Sequence, residues 1–123
     1  MNFAGPILKK LYTTGSLKNE GGGVRFEIKN RLMDAQLVGV RRIAIDGNAL
    51  ALEDVRLHVD GRMLTAAELD ASRPVPFPLR SVVTVQTDSP AAAGNHQIAI
   101  SFDTRPFGVL EFTVEDAVSD QAS

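Results

Sequence analysis

The stretch VRFEIKNR, Val24 to Arg31, alternates: Val24, Phe26 and Ile28 fall on one side, and Arg25, Glu27 and Lys29 on the other. Successive side chains of a β-strand point to opposite faces, so a period of two marks a strand with one face buried and one in water. Just before it, NEGGG (Asn19 to Gly23) is a flexible turn, and LYTTGSLKN (Leu11 to Asn19) reads as an edge strand interrupted near Gly15. Together they predict a hairpin.

Outward from this hairpin the same grammar repeats. QLVGVRRIAIDGN carries Leu37, Ile43 and Ile45 on odd positions and ends in Asp46-Gly47-Asn48, residues that tolerate the positive φ of a tight turn. ALALEDVRLHVDGR resumes alternation through Val55, Leu57 and Val59 and stops at Asp60-Gly61. IAIDG and LHVDG lie fourteen residues apart, a recurrence that any meander of strands ending in Asp-Gly produces. TAAELDAS has the capping-box spacing, Thr65 followed by Glu68, and predicts one or two helical turns. SVVTVQTD, HQIAISFD and FGVLEFTVED supply the later strands, with SPAAAGN turning the chain between the first two. About seven or eight strands with at most one short helix predict an all-β, antiparallel β-sandwich of Ig-like or jelly-roll-like type. At 123 residues the chain is expected to form one domain, 1–123, frayed over 1–10 and 117–123.

Thirteen basic against 15 acidic residues give a net charge of -2, which supplies no basic field for nucleic acid or anionic lipid. There is no cysteine, so disulfides, thiolate nucleophiles and cysteine metal sites are excluded together. The N-terminus places its short apolar stretch before its lysines, the reverse of a signal peptide, and no run reaches membrane-spanning length. These features predict a cytoplasmic protein with neither nucleic-acid nor membrane partners.

Chemistry is sparse. His58 should point to the outer face beside Arg56 and Asp60, and His96, in phase with Ile98 and Ile100, should sit at a sheet rim. Neither lies in a metal-binding or triad pattern. Acidic residues fall at turns or on polar strand faces, no serine sits in a nucleophile elbow, and GGG lacks the lysine and helix of a phosphate loop. No catalytic, cofactor-binding or metal residue is nominated. With no tryptophan and one tyrosine, Tyr12, a sugar-stacking platform is thin. What stands out is apolar loop surface in RPVPFPLR (Arg73 to Arg80), TRPFG (Thr104 to Gly108) and NRLMDAQL (Asn30 to Leu37). Three prolines make the first of these a stiff, extended segment, poor helix and poor central strand. Its side chains either close the core or face a partner. As an interface the set is Leu32, Met33, Pro76, Phe77, Pro78, Leu79, Arg80, Arg105, Pro106 and Phe107, with apolar anchors and arginines at the rim.

The combination of GSLKN, FEIKNR, IAIDGNALALEDVRLHVDGRMLTAAEL, PFPL, AGNHQIAI and RPFG resembles the small β subunit of the bacterial C-glycoside deglycosidases, from about Tyr12 to Glu115. That resemblance implies an accessory β-sandwich subunit of a hetero-oligomeric lyase. A TIM-barrel α subunit would carry a divalent metal, manganese or magnesium, and the base, and would hold the 3-keto glycoside substrate for metal-assisted elimination from flavonoid-type glycosides. It implies no cofactor in this chain, and makes the proline segment a docking loop holding Phe77 and Leu79 toward the partner. The alternative is a stand-alone β-sandwich binding module for carbohydrate or protein. A third reading is a small enzyme using His58 or His96.

Overall fold

The alternation at Val24 to Lys29 does form a strand, and it sits near the middle of one of two packed sheets. The computed structural model describes residues 5–59 and 61–118. In the first sheet the order is β1 (Lys18–Glu20), β2 (Gly23–Lys29), β8 (Val82–Gln86), β5 (Arg56–Val59) and β6 (Arg62–Thr65). In the second, β10 (Gly108–Val118) pairs β9 (Gly94–Arg105), which pairs β3 (Ala35–Ile45). The far edge of β3 carries β4 (Asn48–Ala49) at one end and β7 (Val75–Phe77) at the other. Every pairing is antiparallel, and the two sheets make the expected β-sandwich.

The sheets close on a core of Phe26, Ile43, Val55, Val85, Ile98 and Ile100, each at most 2 % exposed. Phe102 and Phe112, on neighbouring strands, meet edge to face with centroids 6.5 Å apart. Gly21 and Gly22 both have positive φ, which makes NEGGG the tight turn of the first hairpin. Gly23 is needed for a different reason: a Cβ there would lie 1.8 Å from the Thr87 carbonyl oxygen.

Several details depart from the sequence pattern. In β3, Leu37 pairs Thr104 while Ile43 pairs Ile100, so six residues on one strand span four on the other through two bulges. The inward side chains of β3 are therefore Leu37, Val40 and Ile43, spaced by three. The proline segment does not run as a loop throughout: Val75–Phe77 adds a three-residue edge strand, a position where proline's missing donor is tolerated. The capping box is present, with Glu68 accepting from the Thr65 amide and hydroxyl, but it heads a single 3-10 turn, Ala66–Glu68. Asp60, expected at a turn, lies outside the described residues.

Where frayed chain was expected at residues 1–10, Gly5–Leu8 form α1 and Lys9–Leu11 a 3-10 turn, with Leu8 and Leu11 buried in the core. Residues 1–4 and 119–123 lie outside the described residues. The N-terminal segment is tied to β10 by Asp116, whose Oδ2 accepts the Tyr12 hydroxyl at 2.7 Å and the Gly15 amide at 2.9 Å. Burial alone would raise the Asp116 pKa. Hydrogen bonds from Tyr12 and from the amides of Ala117, Gly15 and Leu17 instead hold it below the ordinary value. The same burial, together with the carboxylate, pushes the Tyr12 phenol up. Tyr12→Phe is expected to lower stability by about 1 kcal/mol, the worth of one such bond, in urea denaturation. No change in midpoint would mean that Asp116 is held by the backbone amides alone.

Candidate functional site

The histidines separate cleanly. His58 lies exposed on the outer face of β5, as its register predicts. His96 is at the rim of β9 and faces the β3–β4 turn, where its Nδ1 is 2.6 Å from Asp46 Oδ2 and its Nε2 is 2.6 Å from the Ala92 carbonyl oxygen. Both ring nitrogens are engaged, so neither is free to take a proton from a substrate or to ligate a metal. The Ala92 carbonyl first, then Asp46, raises the His96 pKa. Asp46 is lowered in turn by the Gln97 amide and by His96. Among the described residues, no group of three His, Cys, Asp or Glu side chains is placed to hold a metal ion. The bulges of β3 leave a gap between the sheets lined by Gly39, Val40, Ile43, Leu69, Phe77 and Phe102, whose exposed wall is wholly apolar. It is a packing gap in the core and offers nothing to a charged substrate.

The sequence-nominated loops do converge at one end of the sandwich. Leu32, Met33, Phe77 and Phe107 line a single shallow depression there. Across β3, Ala35 pairs Phe77, and Gln36 pairs both Pro76 and Arg105. The loops are organised by Asn30, a residue the periodicity of β2 gave no reason to single out. Its side chain is 2 % exposed with its residue and donates from Nδ2 to the carbonyls of Phe77 at 2.7 Å and Met33 at 2.8 Å. Its Oδ1 accepts the Leu32 amide at 3.0 Å, and its backbone bridges to Arg80 and Ser81. Asp34 accepts the Leu79 amide at 2.8 Å. The one available signal was the Asn-Arg-Leu-Met-Asp spacing, because short polar side chains commonly bond to nearby backbone in turns.

The members of the interface set have different fates. Phe77 and Phe107, at 2 % and 7 % exposed, close the core and do not point outward. Met33 and Leu79 do point outward, at 55 % and 45 %, and Val82, shortly after Leu79 in sequence, is 40 % exposed. Pro76, Pro78, Arg80, Arg105 and Pro106 are exposed and Leu32 is half-buried. Arg80 adopts φ 75°, a conformation costly for a residue with a Cβ and maintained by the bond from its amide to Asn30. Arg105 spends its guanidinium on the Ala71 carbonyl at 3.3 Å. Every aromatic ring among the described residues is buried, so a sugar would find no flat platform.

Fold and site together define a β-sandwich module whose distinctive surface is a preorganised apolar loop end. Residues 7–119 match the family described as hydroxymethylglutaryl-CoA reductase, N-terminal domain, and the chain belongs to that family. No curated protein matches the sequence significantly. The family match overturns the resemblance to the C-glycoside deglycosidase β subunit, and with it the lyase, keto-glycoside and flavonoid readings. The fragments that carried that resemblance explain the error. IAIDG is a strand ending in a tight Asp46-Gly47 turn, and RPFG is the β9–β10 hairpin turn, so they report antiparallel grammar common to unrelated sandwiches.

Proposed function

We propose that this chain is a non-catalytic docking module that seats its Met33–Leu79 end on the catalytic body of a hydroxymethylglutaryl-CoA reductase. The family description favours this partner, since a domain described as the N-terminal part of that enzyme would have the rest of the enzyme as a neighbour. The observation that carries the docking role is the pair Met33 and Leu79, exposed on loops already fixed by Asn30 and Asp34. Apolar side chains on ordered loops lose little entropy when covered, which favours association. Reductant, any metal and the reacting groups are assigned to the partner. The absence of cysteine suits the cytoplasm as the site of action, and among the described residues no helix is long and apolar enough to cross a membrane.

The test is calorimetric titration of the purified chain against the reductase catalytic portion. Met33→Asp combined with Leu79→Asp is expected to weaken binding by at least about a hundredfold, the loss of two apolar anchors, while leaving the melting temperature unchanged. A double variant that binds like the natural chain places the contact elsewhere. No heat with the natural chain rejects the reductase as partner.

A further inference from the structure

The pole of the sandwich opposite the Met33–Leu79 end is built around His96. Its ring is the junction between the two sheets there. On one side is Asp46, held in place because its Oδ1 accepts the Gln97 amide at 2.8 Å and its own amide donates to the Gln97 carbonyl at 2.8 Å. On the other side is Ala92, in the segment between β8 and β9. That segment is also tied to the first sheet, since Asn19 on β1 donates to the Ala91 carbonyl at 2.7 Å and accepts the Ala91 amide at 2.9 Å. The connection therefore runs from β1 through Ala91 and Ala92 to His96 and then to the β3–β4 turn.

Both partners of the ring are acceptors. A carbonyl oxygen cannot donate, and an ionised carboxylate cannot donate. Two contacts of 2.6 Å thus require two ring N–H groups, which only the imidazolium has. The His96 side chain is 11 % exposed, so the ring is largely covered while its partners Asp46 and Ala92 reach the surface. A neutral ring keeps one bond and forces the other nitrogen's lone pair against an oxygen. The ionised Asp46 is the stronger acceptor, so a neutral ring keeps its N–H there and the Ala92 contact is the one to break.

We propose that His96 is a proton-operated latch: as an imidazolium it clamps Ala92 to the β3–β4 turn, and as a neutral ring it releases the chain there and leaves Asn19 to hold Ala91 alone. The latch forms one wall of an open recess whose other walls include Val24, Ile45, Leu50, Thr87 and Pro90. Of the groups lining this recess only Asp46 and His96 titrate. From β10, Asp116 is the residue across from His96, and its carboxylate is turned to Tyr12 and the Gly15 amide. Asp88, within the segment, is paired to Arg56 at 2.7 Å. Arg56, the cation on this side, is thus taken up by Asp88. The sign follows. A raised histidine pKa contributes stability that is complete below the ordinary value of 6.5 and is lost as pH rises through the folded value.

The experiment is amide hydrogen exchange of the intact chain, expressed as protection factors, between about pH 5.5 and about pH 8.5, alongside an NMR titration of His96. In the natural chain, protection at residues 89–94 is expected to fall about tenfold with the same midpoint as His96, the worth of one charge-assisted bond, while protection at Ile98 and Ile100 stays constant. In His96→Gln the step disappears. Asp46→Asn, which keeps the turn but removes the charge, is expected to move the midpoint to lower pH. Asn19→Ala is expected to lower protection at Ala91 at every pH and to keep the step. A natural chain without the step, a step that survives His96→Gln, or a midpoint unmoved by Asp46→Asn each overturns the latch.

Discussion

Phe77→Ala is expected to destabilise the fold by about 3–5 kcal/mol, seen as a lower urea midpoint at unchanged slope. Phe77 is 2 % exposed, its strand pairs Ala35 through the main chain, and its ring forms part of the wall between the sheets. That wall already contains a gap, so removal of the ring enlarges an existing void that the bulged β3 backbone is poorly placed to close. Against a typical total of about 5–15 kcal/mol, such a loss leaves a small domain marginal. A docking role for Phe77 makes the opposite forecast: near-natural stability and lost partner binding. A cost below about 1 kcal/mol would return Phe77 to the surface and revive that role.

Asn30→Ala is expected to cost about 3 kcal/mol, the upper part of the range for a buried polar group left unpaired. The substitution strands the carbonyls of Phe77 and Met33 and the amide of Leu32 together. Asn30→Asp should be at least as damaging, because it keeps the acceptor for Leu32 but sets a carboxylate oxygen against two carbonyl oxygens. Thermal unfolding gives the cost, and hydrogen exchange at residues 30–34 and 78–82 gives its location. If both variants melt within a degree of the natural chain, water satisfies these groups and the loops are not held by Asn30.

The fold was legible where the pattern was regular. Val24, Phe26 and Ile28 in β2, and Ile98, Ile100 and Phe102 in β9, alternate in sequence and are buried as alternation requires. It was illegible in β3, because two bulges move the inward positions to a spacing of three, and bulge placement depends on the partner strand. The short pieces β4 and β7 are two and three residues long, below the length at which any period can be seen. For the candidate site, the loops that meet at one end of the sandwich were named, with Met33 and Leu79 among their outward members, but Phe77 and Phe107, expected in the same surface, are buried. Phe77 is the more apolar-looking anchor and lies inside, while Met33 and Leu79 lie outside. Burial there is decided by β7 pairing with β3, a contact between residues about forty positions apart. The fragments used for a family resemblance were turn signatures, which carry fold and little function.

The β9–β10 hairpin sets a length that a covalent attachment after Val118 must respect. Its turn, with Phe107, is at the docking end, while Val118 pairs Gly94 at the latch end. The strand from Gly108 to Val118 therefore carries the chain about 33 Å away from Met33. A catalytic body seated on the docking end and joined after Val118 needs a connection that runs back the length of the sandwich, at least about ten extended residues. A tether shorter than that would pull against the interface, whereas a reporter group fixed after Val118 would sit clear of it.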